Sequence, residues 1–502
     1  MSSLYLGVIG GYEFLWLQPL AMICGVIMLM AIAHVTLSIS DQGKRPFGVV
    51  KEHISPVLAW GWLVATIVAN IVFCSSQFAL ATDTIQTNLG FPINSYLITL
   101  GLFVIAFGMT YLSKTREQWS RLINNVLKIL VSLIVLSFIV LAILLLNNGS
   151  IDMVDILKGL VPDLTKVTSP VSTLEPYISS AGADSAYWVE HVVNNQRDVI
   201  IGAFGTAVGI NMTFLLPYTL LSKGWSAKEK DLSRYDMGFG LLIPFILATS
   251  CLVIVSSSQF HGLVDSPVNE QAYNLILDKK LSRDHHHYGA LADDAKEQLR
   301  MEAPSYDKQM STIMAKRNTV DLSATLEPIL GRWATIIFGL GVLAMALSTM
   351  LVHMMMNGYA LGEAIGRPFD KKPYLIGSAI PALLGIISPV LWSGSIKTAL
   401  VIPASVIATI FLPIAYIAFM MLMNSKKVFG SDRPGGDQHW LVNVLMLIST
   451  GVALFASLWA IYAKIQSPKF YEKSLAIVGL IVFVITIAIG LRGFIKKEKQ
   501  HA

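Results

Sequence analysis

Eleven apolar stretches, each about as long as a bilayer-crossing helix of roughly 20 residues, constrain this chain more than any other feature. They lie near 13–37, 56–82, 93–113, 122–147, 199–221, 236–258, 332–359, 373–392, 398–423, 440–463 and 474–491. A soluble fold could not hide this much apolar surface: 54% of the residues are hydrophobic, only 14% are charged, and the mean hydropathy is +0.62. The expected fold class is an all-α polytopic membrane protein. Ahead of the spans lies a stub, LYLGVIGGY at 4–12, too short to cross. The net charge of +5 comes mostly from loop lysines and arginines and gives no reason to expect a nucleic-acid partner. Cys24, Cys74 and Cys251 all fall in apolar segments, which suits neither disulfides nor a metal-type cysteine spacing.

The short loops orient the set. One side carries Lys44, Arg45, Lys51, Lys114, Arg116, Lys223, Lys228, Lys230, Arg234, Arg367, Lys371, Lys372, Lys426, Lys427 and Arg433, and the tail adds Arg492, Lys496, Lys497 and Lys499. The short loops opposite hold only Lys397, Lys464, Lys469 and Lys473. The positive-inside rule makes the first side, and with it the C-terminus, cytoplasmic. Eleven spans then place Met1 outside. Either the chain enters with its first residue outside, or a half-helix precedes the printed sequence and the stub is its outer end. No organelle signal is visible, so a bacterial-type plasma membrane is expected.

One span is broken at its own middle. GTAVGINMTFLLPY at 205–218 sets two glycines, Asn211, Thr213 and a proline inside an apolar run. In hydrocarbon, unwound backbone persists only where it lines a cavity or is buried in protein. A Gly-rich interruption at this depth points to a transporter binding site, where freed carbonyls and half-helix ends meet an ion or substrate. The plainer reading is a kink, with Gly205 and Gly209 serving close helix packing. Asn211 and Thr213 favour the site, because polar groups at this depth are usually functional.

Several segments resemble the NRAMP (natural-resistance-associated macrophage protein) family of divalent metal transporters. Residues 202–251, beginning GAFGTAVGINMTFLLPYTLLSKGW, are similar to its sixth and seventh helices. GYEFLWLQPLAM at 11–22 resembles the start of helix two. The stretch 326–366, with Glu363, resembles helix eight, and IFLPIAYI at 410–417 resembles the Leu-Pro turn of helix ten. Order and spacing carry the likeness, which covers most of the chain apart from the two long outer segments. It implies a five-plus-five inverted-repeat transporter fold, with broken helices one and six meeting at a metal site, and a divalent cation as transported substrate rather than a cofactor.

The departures from the family pattern matter equally. Its first-helix Asp-Pro-Gly-Asn motif is absent. Its helix-six Met-Pro-His aligns with Gly209, Ile210 and Asn211, so the soft thioether is missing. Oxygen donors remain: the Asn211 amide and the Thr206 carbonyl, which suit Mg²⁺, Mn²⁺ or a similar ion. Gly209 is expected to leave room for a more hydrated ion. The family's second helix-six histidine aligns with Leu216, its helix-three acids with Cys74 and Gln77, and its helix-ten glutamine with Phe411. Cys74, Gln77, Thr213 and Phe411 are therefore expected to line the pathway, without carboxylates to relay protons.

The expected organisation is 1–147 as first-repeat helices, 148–198 as an outer loop, 199–258 as broken helix six and helix seven, and 259–331 as an outer loop or small cap. Residues 332–423 hold the remaining second-repeat helices, and 424–502 two extra spans and a basic tail. In the cap, Asp284, His285, His286 and His287 offer a place to trap a passing cation, against the plainer reading of a solvated loop. Met354, Met355 and Met356 are consecutive, cannot all face one site, and read as packing. No phosphate loop, paired-carboxylate site or nucleophile triad is present, so the chain is not expected to be an enzyme. The expected partners are a divalent metal ion and the lipid bilayer; no protein partner is legible. Two alternatives stand beside metal transport: a transport-incompetent relative acting as a metal sensor or interaction protein, and a transporter of a small organic solute.

Overall fold

The protein is described here from a computed structural model, which covers all residues except 116, 267, 394–395, 430–435, 467–469 and 500–502. Among these, Arg116, Arg433 and Lys469 belonged to the loop-charge reading and lie outside the described residues.

We number the helices of nine residues or more. The first eight are α1 (Ser2–Gly10), α2 (Leu17–Ser40), α3 (Pro56–Thr87), α4 (Ser95–Thr115), α5 (Glu117–Asn147), α6 (Ser185–Ala207), α7 (Ile210–Ser222) and α8 (Ile243–Phe260). The cap holds α9 (Glu270–Asp284), α10 (Asp293–Glu302) and α11 (Ser305–Met314). Then come α12 (Ala334–Ala364), α13 (Lys371–Ile386), α14 (Val401–Asn424), α15 (Gly436–Ile465) and α16 (Phe470–Lys499).

Ten helical segments among the described residues are long and apolar enough to cross a bilayer. The eleventh expected stretch, 373–392, forms the 16-residue α13, with Pro381 inside it, and then a short helix at Ser388–Leu391. At about 1.5 Å per residue, α13 alone falls short of a hydrocarbon core of about 30 Å. Hydropathy does not separate the central helices from the peripheral ones, because a span's outer face meets lipid rather than water. The most hydrophobic windows of α2 and of the α14 segment are 72% and 78% buried, against 17% for α5 and α16.

Local chemistry sets the helix ends. Ser55 caps α3, its hydroxyl accepting from Val57 N–H at 3.2 Å, and Pro56 takes the first helical position, where no N–H is needed. α3 then packs along α12, and a buried amide pair joins the two, Asn70 Nδ2 donating to Asn357 Oδ1 at 2.9 Å. The stub is α1, a short buried helix against α8 and α6. Its Tyr5 hydroxyl donates to Arg317 O at 2.6 Å, and Thr398 Oγ1 lies 2.8 Å from the same hydroxyl.

α6 starts at Ser185, well before the apolar run at 199, because YWVEHVVNNQRD continues the helix beneath the cap. The cap has its own small core of Leu277, Leu281, Tyr288 and Ala303. Lys280, whose side chain is 1% exposed, joins the cap to the start of α6. It lies 3.1 Å from Asp184 and 3.8 Å from Asp307, and its ammonium also binds Asp284.

Candidate substrate site

The sixth span is two helices. α6 ends at Ala207, Val208 is extended (φ −144°, ψ 103°), Gly209 is extended (φ −89°, ψ 170°), and α7 begins at Ile210. The last carbonyls of α6, that of Thr206 among them, lie in a turn with no intrahelical donors to meet. The negative end of the α6 dipole therefore points at the break, which favours a cation there.

A cavity of about 440 Å³ opens beside the break. Asn211, Thr206 and Met212 from the broken span line it, with Gln18 from α2, Ser76 and Gln77 from α3, Thr249 from α8 and Ser348, Thr349 and His353 from α12. Lys397 and Thr398 line it before the start of α14. Among the described residues the lining contains no carboxylate, and Lys397 is its charged side chain.

The geometry fixes the Asn211 amide. Its Oδ1 accepts from Met212 N–H at 3.0 Å, so its Nδ2 must face His353 Nε2, also at 3.0 Å. His353 Nδ1 lies 2.7 Å from the Thr349 carbonyl, which can only accept, so the ring proton sits on Nδ1 and Nε2 offers a lone pair. Phe73 stacks on the imidazole at 5.0 Å and holds its plane.

Towards the basic short loops, α7 and α12 close the space with rings. Phe214 stacks on Tyr218 at 4.7 Å, and Tyr218 on Tyr359 at 5.9 Å. One turn beyond Tyr359, Glu363 accepts from Arg45 Nε at 2.8 Å.

The other expected site residues divide. Gln77 lines the cavity and donates weakly to Ser76 at 3.4 Å. The Thr206 hydroxyl donates to Gly202 O at 3.0 Å and lies 3.2 Å from Ser2 Oγ, where α1 and α6 meet. Thr213 is turned away from the cavity: it accepts from Trp62 Nε1 at 2.9 Å and donates to Ile210 O at 2.5 Å. Cys74 is buried with Phe78, Met350 and Met354, and Phe411 packs in the apolar core; neither lines the cavity. Gly209, expected to leave room for the ion, instead lets the break pack closely. A Cβ there would stand 2.7 Å from Asn211 Oδ1 and 3.1 Å from Ala408 Cβ. In the cap, α9 ends at Asp284, whose carboxylate is taken by Lys280, and His285, His286 and His287 turn outward and are exposed. Among the described residues, no group of three or more His, Cys, Asp or Glu side chains is placed to hold a metal ion.

Sequence reasoning missed His353 and Gln18. His353 carried its own signal, an ionisable group in the middle of a span. The three methionines that follow it drew the reading towards packing.

The natural resistance-associated macrophage protein-like (Nramp) family model matches residues 2–281 and 303–463. The chain belongs to this family. It is not an enzyme: Nramp proteins are transporters that carry divalent metal as substrate, without a cofactor. Among solved structures it is similar to the Eremococcus coleocola manganese transporter in complex with an aromatic bis-isothiourea substituted compound. That match has a TM-score of 0.64 at 13% identity, covering 99% of this chain and 91% of that one. Two mutants of the same transporter match with TM-scores of 0.62 and 0.63, at the same identity and coverage. At that identity the likeness is one of fold, the five-plus-five inverted-repeat arrangement, and within this chain α6–α7 is an interrupted helix. No curated protein matches in sequence.

Proposed function

We propose that this Nramp protein is a secondary transporter that moves a divalent metal cation by alternating access around the break between α6 and α7. The observation that carries this reading is the extended pair Val208–Gly209, with Asn211 facing a polar cavity directly beside it. Asn211 Oδ1 and the Thr206 carbonyl are the proposed oxygen ligands. A lining without a carboxylate cannot repay the desolvation of a bare dication, so the ion keeps part of its water shell. The roughly 440 Å³ of space accommodates that shell.

The basic side is taken as cytoplasmic, in a bacterial-type plasma membrane. On that side the ring column and the Arg45–Glu363 pair close the path, so this is a form shut towards the cytoplasm. Cys74 is buried in apolar packing and Gln77 cannot titrate, so transport is proposed to run with little or no proton coupling. Residues 259–331 are proposed to form a cap that rides on α6, and 424–502 two peripheral spans.

Uptake of Mg²⁺ and Mn²⁺ into proteoliposomes tests the reading. Asn211→Ala should lower uptake at least tenfold at unchanged protein density. Full uptake by that variant would remove Asn211 from the site. No uptake of either ion by the unaltered protein would leave the polar, carboxylate-free cavity better suited to a small organic solute.

A further inference from the structure

We infer that His353 is a direct ligand of the transported ion, and that its imidazole makes the site prefer borderline metals such as Mn²⁺, Co²⁺ or Zn²⁺ over Mg²⁺ and Ca²⁺. This rests on the transport reading for the identity of the ion, and adds a donor from α12 to the two from the broken span.

Three observations carry it. His353 lines the cavity, and its side chain is otherwise buried, the residue being only 6% exposed. The hydrogen bond from Nδ1 to Thr349 O fixes the tautomer, leaving on Nε2 the lone pair that a metal requires. A second contact to the non-ligating nitrogen orients ligand histidines in general, and Thr349 O at 2.7 Å supplies it here. Among the described residues, the Asn211 amide is the partner of Nε2, at 3.0 Å.

Ion entry replaces that amide contact. Asn211 then turns its carboxamide so that Oδ1 meets the ion that Nδ2 had excluded. Met212 N–H is released in the first turn of α7, where backbone N–H groups are ordinarily free of intrahelical partners. One imidazole among oxygen and water ligands favours metals that accept nitrogen, whereas Mg²⁺ and Ca²⁺ gain little from it.

The test uses the full chain and the variants His353→Gln and His353→Ala. Glutamine keeps an acceptor for Asn211 and offers oxygen, so a purely structural histidine would be rescued by it. The binding readout is a Co²⁺ titration of the purified protein, following the cobalt d–d absorption that nitrogen ligation shifts and intensifies. The transport readout is Mn²⁺ against Mg²⁺ uptake in proteoliposomes.

We expect His353→Gln to weaken Co²⁺ and Mn²⁺ at least tenfold, to change Mg²⁺ less than threefold, and to lose the nitrogen-ligated absorption. Equal changes for all three ions, or an unaltered cobalt spectrum, would overturn the inference. If the unaltered protein carries no metal, the transport reading fails, and the cobalt titration still decides whether His353 binds one.

Discussion

Arg45 and Glu363 form an unequal pair. Their side chains meet at 2.8 Å, yet the guanidinium is 34% exposed while the carboxylate is only 3% exposed. Arg45 precedes a proline-started turn between α2 and α3, and it also reaches Gly366 O at 3.4 Å. Glu363 ends the helix that carries His353. The pair therefore ties the basic-side end of α12 to a loop.

Removing one partner of such a pair is not symmetric. Arg45→Ala leaves a buried charge unpaired, whereas Glu363→Gln leaves a cation that solvent can reach. Partial exposure of Arg45 screens the interaction, so the expected loss for Arg45→Ala is about 1–3 kcal/mol, below the buried-pair range. Glu363→Gln should cost clearly less. Thermal unfolding of both variants in detergent checks this; equal losses would show that the pair does not hold the carboxylate in place.

Gly205 marks a close approach of α6 to α14. A Cβ there would stand 2.1 Å from Ser405 O and 2.4 Å from Thr409 Oγ1. Neither can retreat easily: Ser405 O belongs to backbone, and Thr409 Oγ1 is bonded to Ile201 O at 3.2 Å and Ser405 O at 2.9 Å. Gly205→Ala should therefore destabilise the protein by about 1–3 kcal/mol, the usual cost of overpacking. Gly202→Ala is the control, because a Cβ there meets its nearest neighbour at an ordinary 3.8 Å. A thermal melt that ranks the two alike would reject the close contact.

The pattern of these residues in the sequence shows what could be read and what could not. The spans follow from hydropathy, because a bilayer tests each helix for length and apolarity one at a time. The interruption in 205–218 was legible for the same reason: Gly209 and Asn211 break a run that should not break. What hydropathy cannot assign is direction around a helix. Thr213 and Asn211 are two residues apart, and only one faces the cavity. His353 sits among methionines, and averaging over the span hides it. Polar residues 187–198 read as loop because their helix is completed by a cap whose contacts are distant in sequence.

The Lys280 cluster is the cap's anchor. Burial alone would lower the Lys280 ammonium, but the carboxylates of Asp284, Asp184 and Asp307 outweigh it and hold the group above its usual range. Asp307 is itself 1% exposed and accepts from Trp188 Nε1 at 2.7 Å. Lys280→Met would strand that carboxylate beside Asp184. Hydrogen exchange over 270–314 should then quicken at least tenfold, while α12 and α14 exchange as before. Unchanged exchange in the cap would mean that its small apolar core suffices to hold it.

Acid should loosen the cap through a different pair. Arg300 donates to both Asp278 oxygens at 2.7 Å, and Tyr288 adds a third hydrogen bond at 2.5 Å. Burial tends to raise the Asp278 carboxyl, but the bonds from Arg300 and Tyr288 prevail and hold it below the usual carboxylate range. A depressed carboxyl contributes its stability above its unfolded value of about 3.9, and loses it as pH falls through the lower folded value. The contribution should thus be complete at neutral pH and begin to fall once the pH drops below about 4. Hydrogen exchange of α9 and α10 measured between pH 6 and pH 3, corrected for intrinsic rates, should show that loss. Asp278→Asn should exchange fast throughout and lack the acid step. A step of the same size in Asp278→Asn would assign the acid sensitivity to another carboxylate of the cap.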